Sequence, residues 1–158
     1  MVTLRKVQLA AAAIAILSIA HQAIAHDFPN SQVQARFRIK ISVPDSDRPD
    51  FLVPVKEEGE PMFAVIPALA DKEGKGPEER PSYIKVVPLT EGDSVWIKVS
   101  VLYGKVDRSL SPTDQLKSLK EHSLVDFLAA EGEKVNVSEL KNFGLKVIEI
   151  EVVSSNSS

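Results

Sequence analysis

The stretch from Tyr83 to Tyr103, YIKVVPLTEGDSVWIKVSVLY, has two arms rich in Val and Ile on either side of Gly92. Gly92 can adopt the positive φ of a tight turn, so the stretch predicts a β-hairpin. A Glu91-Gly92 loop would place Lys85 opposite Lys98, a destabilising like-charge pair, and we therefore favour a Gly92-Asp93 loop. The favoured register pairs Ile84 with Val101, Lys85 with Ser100, Val86 with Val99 and Leu89 with Trp96.

Further strands are predicted on both sides of the hairpin. Residues Val33 to Val43 alternate apolar and polar side chains, which is typical of a strand with one buried face. Proline removes a ladder donor, so the apolar runs Phe51 to Val55 (with Pro54) and Met62 to Leu69 (with Pro67) are expected at sheet edges. Three later segments also favour strands: Ser123 to Ala129, Lys134 to Val137 and Leu145 to Val153.

Turn and capping signals separate these strands. The segments Pro44 to Asp50 and Asp71 to Pro81 are rich in Pro, Gly and charge and predict loops. Ser111 suits the N-cap and Pro112 the first position of a short helix. Because Glu131-Gly132-Glu133 resembles the first turn in chemistry, we expect a second hairpin there. A helical turn over Ser138 to Lys141 is expected to end at Gly144, with Leu140 and Phe143 packed on the core.

About seven short strands with one short helix favour an all-β fold. We expect an antiparallel β-sandwich of immunoglobulin-like or transthyretin-like shape, with a small open barrel as the alternative. Trp96 would be a core or sheet-face residue in this sandwich.

The first 25 residues have the pattern of a secretory signal peptide. Arg5 and Lys6 precede an uncharged run, and small residues before Ala25 suit cleavage there, although Ala20 is a second possible site. An uncleaved anchor is the alternative, but the apolar run is short for a membrane span. The expected layout is a signal peptide over residues 1–25, a flexible leader over 26–32, one sandwich domain over 33–153 and a polar tail over 154–158.

Cleavage after Ala25 leaves 17 Lys and Arg against 22 Asp and Glu, a formal charge of −5. A mildly acidic domain argues against nucleic acid or anionic lipid as a partner, since both need a basic surface. The sequence contains no cysteine, which excludes thiol catalysis and metal sites with cysteine ligands. An alanine-rich leader followed by a cysteine-free domain is typical of a bacterial exported protein.

Two histidines suggest a copper site. Cleavage after Ala25 makes His26 the first residue, and its amine and ring could join His122 as a three-nitrogen site for Cu(II). Cleavage after Ala20 would expose His21 instead. This arrangement resembles the copper brace of lytic polysaccharide monooxygenases and of some periplasmic copper carriers. The resemblance implies a β-sandwich that binds copper or uses it in redox chemistry.

Charged side chains offer two further candidates. Asp45, Asp47 and Asp50 could hold calcium, although the spacing lacks the glycine and distal glutamate of an EF-hand loop. Arg36, Arg38 and Lys40, the basic row, lie on the polar face of the first strand and could bind a polyanion or pair with Glu149 and Glu151 on a neighbouring strand.

Motifs of hydrolytic catalysis are missing from the sequence, which has neither Gly-x-Ser-x-Gly nor His-Glu-x-x-His. The leading hypothesis is therefore an exported, non-enzymatic binding or structural module with no required cofactor and a protein or polysaccharide partner. It would bind through loops or an exposed sheet edge, with contacts from Asp71 to Pro81, from Pro44 to Asp50 or from the basic row. The copper protein is the alternative hypothesis.

Overall fold

Two antiparallel sheets of four strands each make up the fold. The computed structural model describes residues 35–57, 61–72 and 78–156. In chain order the elements are β1 (Phe37–Ser42), β2 (Phe51–Val55), β3 (Ala64–Pro67), β4 (Tyr83–Glu91), β5 (Ser94–Tyr103), helix α1 (Pro112–Lys117), β6 (Lys120–Ala130), β7 (Lys134–Asn136), a 3-10 helix (Ser138–Phe143) and β8 (Glu149–Ser154). The first sheet has the order β2-β1-β8-β7 and the second the order β3-β4-β5-β6.

The inner faces of the two sheets form one apolar core, so the predicted all-β sandwich is confirmed at this level. The core joins residues of β1 and β8 in the first sheet to residues of β4 and β5 in the second. On β1 the predicted alternation holds, because Phe37, Ile39 and Ile41 are buried. The described residues form eight strands rather than about seven.

The hairpin of β4 and β5 has the predicted register. Glu91 is opposite Ser94 across the turn, Leu89 is opposite Trp96, and Lys85 is opposite Ser100. Gly92 has a φ of 59°, as the tight turn requires. The register places Lys98 opposite Val87, so the two lysines are kept apart.

Proline marks the edges of the sheets, as predicted. Pro54 lies in β2 and Pro67 in β3, and both strands are edge strands. Pairing between β3 and β4 ends at Val86, and Pro88 follows where β4 has no neighbour from β3. A residue without an N–H costs no ladder hydrogen bond at such positions.

The predicted second hairpin is wrong, because the chain changes sheets at Glu131-Gly132-Glu133. Strand β6 pairs with β5 in one sheet, whereas β7 pairs with β8 in the other. The Gly132 N–H donates to Val152 O at 2.8 Å, and the Val152 N–H donates to Glu133 O at 3.2 Å. Because of these hydrogen bonds to β8, the turn belongs to the first sheet.

Both predicted helical segments are confirmed. Ser111 caps α1, and its Oγ accepts from the Asp114 N–H at 3.3 Å. The 3-10 helix ends at Gly144 with a φ of 67°, and Leu140 is fully buried beneath it. Strand β8 is shorter than predicted, because residues 145–148 precede it and contribute one isolated bridge, between Leu145 and Ala70.

Helix α1 and the residues on either side of it pack on the outer face of the second sheet. Leu116, Leu119 and Val106 pack there against Val65 and Leu102. The Asp107 carboxylate fastens the loop before the helix, since the hydroxyl and backbone N–H of Ser109 donate to it at 2.7 and 2.9 Å. These two bonds lower the pKa of Asp107.

The predicted signal peptide and leader lie outside the described ranges, as do residues 157–158 of the predicted polar tail, whereas Ser154 is the last residue of β8. Within those ranges, no helix has the length and apolar character needed to cross a membrane.

Candidate functional site

Strand β6 is the one long edge strand without proline among the described strands. It runs for 11 residues along the edge of the second sheet. The other edges are protected, since β2 and β3 contain proline and β7 has only three residues. An unprotected edge presents backbone donors and acceptors that another strand can bind. The edge of β6 is therefore the candidate interaction site.

The backbone directions along β6 follow from its neighbours. The Leu102 carbonyl accepts from the Ser82 N–H, so the backbone groups of Leu102 face β4. Because these groups alternate in direction along a strand, the even-numbered residues of β5 bond to β4 and the odd-numbered residues bond to β6. Val95 and Ile97 are opposite Ala129 and Phe127, which places the N–H and C=O groups of Asp126 and Leu128 on the open edge.

A β-bulge reverses this pattern in the first half of β6. The register shifts between Val99 and Ser100, which leaves Leu124 as an extra residue. Before the bulge, His122 is opposite the odd-numbered Val101, so the backbone of His122 bonds to β5. The backbone N–H and C=O groups on the open edge there belong to Glu121 and Ser123. At the far end, Glu133 Oε2 accepts from the Ala130 N–H at 2.9 Å. This bond closes the edge beyond Leu128.

An apolar row borders the second half of β6 on the outer face of the second sheet. Leu89, Trp96 and Leu128 are cross-strand neighbours on β4, β5 and β6. Helix α1 packs at the opposite end of this face, around Leu102, and the side chain of Leu128 is 50% exposed. Trp96 Nε1 is buried and has no hydrogen-bond partner among the described residues. Exposed apolar surface beside an open edge is typical of an interaction surface.

The inner side of β6 also has half-buried apolar groups. Val125, Phe127 and Phe143 pack on the core and remain partly accessible. The His122 ring lies 5.9 Å from the Phe143 ring, centroid to centroid. An added strand alternates its side chains between two faces, so it would meet apolar surface on both sides of β6.

The two ends of β6 have opposite charge. Lys120 begins the strand, and Glu131 follows its last residue; both side chains are exposed. Neither forms an ion pair with another described residue. Glu121 differs, since Lys85 Nζ lies 3.1 Å from its Oε2 across β5. The charged side chains along this edge without an ion pair among the described residues are therefore Lys120 at the start, Asp126 in the second half and Glu131 just past the end.

The predicted basic row is largely neutralised. Lys40 Nζ lies 3.4 Å from Asp50 Oδ2 and 3.8 Å from Glu151 Oε2, which confirms Glu151 as its cross-strand partner. Arg36 pairs with Asp93 at 2.8 Å. Arg38 is the one member without an ion pair among the described residues. A single free cation is a poor site for a polyanion.

The predicted metal ligands are not brought together within the described ranges. No group of three or more His, Cys, Asp or Glu side chains there could hold a metal ion. Asp45, Asp47 and Asp50 lie in the loop before β2, where Asp50 pairs with Lys40, and the calcium site stays a prediction. His122 lies exposed on β6, but His26, His21 and Ala25 are outside the described residues, and the copper site stays a prediction.

The structure describes the first predicted contact loop in full and the second in part. The loop from Pro44 to Asp50 is largely exposed, with an internal bond from the Arg48 N–H to Ser46 Oγ at 3.2 Å. Residues 73–77 of the second loop, Asp71 to Pro81, lie outside the described part of the chain. An exposed sheet edge was expected, but the sequence did not identify β6 as that edge. The available signal was that the apolar run Ser123 to Ala129 lacks the proline present in Phe51 to Val55 and in Met62 to Leu69.

Comparisons with protein-family models, with curated proteins and with solved structures found no match.

Proposed function

We propose that this protein is an exported, non-enzymatic binding or structural module of the periplasm or cell exterior. A partner strand would add to the open edge of β6. The observation that carries this proposal is the contrast among the edges: β2 and β3 contain proline and β7 is short, while β6 is long and free of proline. Strand addition of this kind gives affinity through main-chain bonds and specificity through alternate side chains.

The partner is a protein rather than a polysaccharide. Only a polypeptide can continue the ladder at Asp126 and Leu128. The proposal also includes the finer fold assignment, an immunoglobulin-like or transthyretin-like sandwich. Two stacked antiparallel sheets, one of them with the first and last strands paired at its centre, support that assignment.

A photo-crosslinking amino acid at Leu128 tests the site. Leu52 provides a matched control, since both are leucines on edge strands and their exposed fractions are 50% and 49%. We expect irradiation of cells that export the protein to give defined adducts from position 128 and none from position 52. The readout is the mass of each adduct in denaturing gels and by mass spectrometry.

Adducts of equal yield at both positions, or at position 52 alone, would contradict the site on β6. A second control places the crosslinker at Leu128 in a chain that also contains Asp126→Pro. This change removes an outward N–H that has no partner in β5, so the fold should persist while the adducts are lost.

Export and copper binding have their own test. We expect the purified protein to have the intact mass of a chain that begins at His26, because cleavage after Ala25 fits the signal pattern. Native mass spectrometry after equilibration with Cu(II) then reports on the copper alternative. One tightly held copper that His122→Ala removes would support that alternative, while a full-length mass would contradict cleavage.

A further inference from the structure

The geometry points to a second copy of this chain as the strand that pairs with β6. This inference rests on the proposed function and names its partner. In the assembly, β6 of each copy would run antiparallel to β6 of the other around a two-fold axis. The second sheets of the two copies would then form one continuous sheet of eight strands. The backbone groups on both open edges would be hydrogen-bonded, and the two-fold symmetry would leave no further edge of this kind.

The charges at the ends of β6 favour this arrangement. Lys120 lies at the start and Glu131 just past the end, and neither has an ion pair among the described residues. Antiparallel pairing of two copies brings Lys120 of each beside Glu131 of the other, twice per dimer. Parallel pairing would instead place like charges together, which is unfavourable.

The bulge restricts the register of the pair. The outward backbone groups belong to Glu121 and Ser123 before the bulge and to Asp126 and Leu128 after it. Hydrogen-bonded pairing that uses both halves of the strand must therefore join an odd-numbered residue of one copy to an even-numbered residue of the other. One such register sets Asp126 opposite Glu121 of the second copy, a repulsive pair.

The next register avoids this repulsion. It sets Asp126 opposite Ser123 and Leu128 opposite Glu121, with the two-fold axis between Leu124 and Val125. Glu131 then lies two residues along from the position opposite Lys120, within reach of a diagonal cross-strand contact. This is the register that we infer.

Charge reversal at Lys120 and Glu131 tests the inference. Sedimentation of the protein expressed from its full coding sequence should show a dimer in equilibrium with monomer at low salt. K120E and E131K should each weaken the dimer by about tenfold, since each places like charges together at both contacts. An equimolar mixture of the two variants should restore wild-type affinity, because both contacts then join opposite charges.

Several results would overturn the inference. A mixture that associates no more tightly than either variant alone would exclude the two-fold contact. So would a wild-type protein that stays monomeric up to about 1 mM, the range of weak binding. Circular dichroism of each variant checks that it is folded, and Leu128→Pro gives an independent test, since it should abolish the dimer without touching either charge.

The crosslinks separate this inference from the proposed function. Adducts from position 128 with twice the mass of the chain support the second copy. Adducts of another mass, together with a monomeric wild type, would keep β6 as a binding edge and overturn the second copy as its partner. An absence of adducts would contradict both.

Discussion

Ala129→Pro is expected to unfold the protein, whereas Leu128→Pro, one residue earlier on β6, should leave it folded. The Ala129 N–H bonds toward Val95 of β5, and both residues are buried. Losing this bond and leaving a buried carbonyl unpaired costs about 3 kcal/mol, and the proline ring adds a clash with the neighbouring strand. The Leu128 N–H faces the open edge, so its loss should cost about 1 kcal/mol or less.

Chemical denaturation of both variants measures the difference. The midpoint of Ala129→Pro should fall far below that of Leu128→Pro, or the variant should be unfolded in buffer. Equal losses of stability would mean that the backbone directions along β6 are reversed or that its pairing with β5 is different. Ala129→Gly separates the loss of the methyl group from the effect of the ring.

Leu140→Ala is expected to lower the free energy of unfolding by about 2–5 kcal/mol, the usual cost of removing a buried leucine. Leu140 has an exposed fraction of 0% and packs in the core beneath the 3-10 helix. The site cannot readily collapse, because Leu145 bonds back to the Leu140 carbonyl at 3.2 Å and Gly144 fixes the turn between them.

Leu52→Ala is the matched control for this prediction. It removes the same atoms from a leucine that is 49% exposed, and we expect a change of about 0.5 kcal/mol or less. Equilibrium denaturation in urea gives both values. Similar losses in the two variants would show that Leu140 is not part of the core.

Local sequence predicted the hairpin of β4 and β5 because every local signal agreed. Gly92 permits the turn, the arms have β-branched residues, and the repulsion between Lys85 and Lys98 selects one register. The same chemistry around Gly132 gave a wrong prediction. Turn residues show where a chain reverses, but they do not show which sheet the next strand joins. That choice depends on bonds to Val152, which is distant in sequence.

The candidate site was harder to predict for a related reason. Counting back from the buried Ala129, alternation assigns Phe127 and Val125 to the inner face, and the bulge at Leu124 then breaks the period. A pattern of period two therefore fails across β6, and its edge position depends on the order of strands in the second sheet. The absence of proline was the available signal. It becomes informative only once the other edges are known to contain proline.

The pairing of the first and last strands has a consequence for folding kinetics. Strand β1 lies beside β8, with Phe37 opposite Ser154, so the first sheet cannot close until the whole chain is available. The second sheet is a meander of successive strands and can assemble earlier from local contacts. Non-local pairing of this kind raises contact order and slows folding to the millisecond-to-second range. A slow final folding step would keep the precursor incompletely folded during the export that we propose.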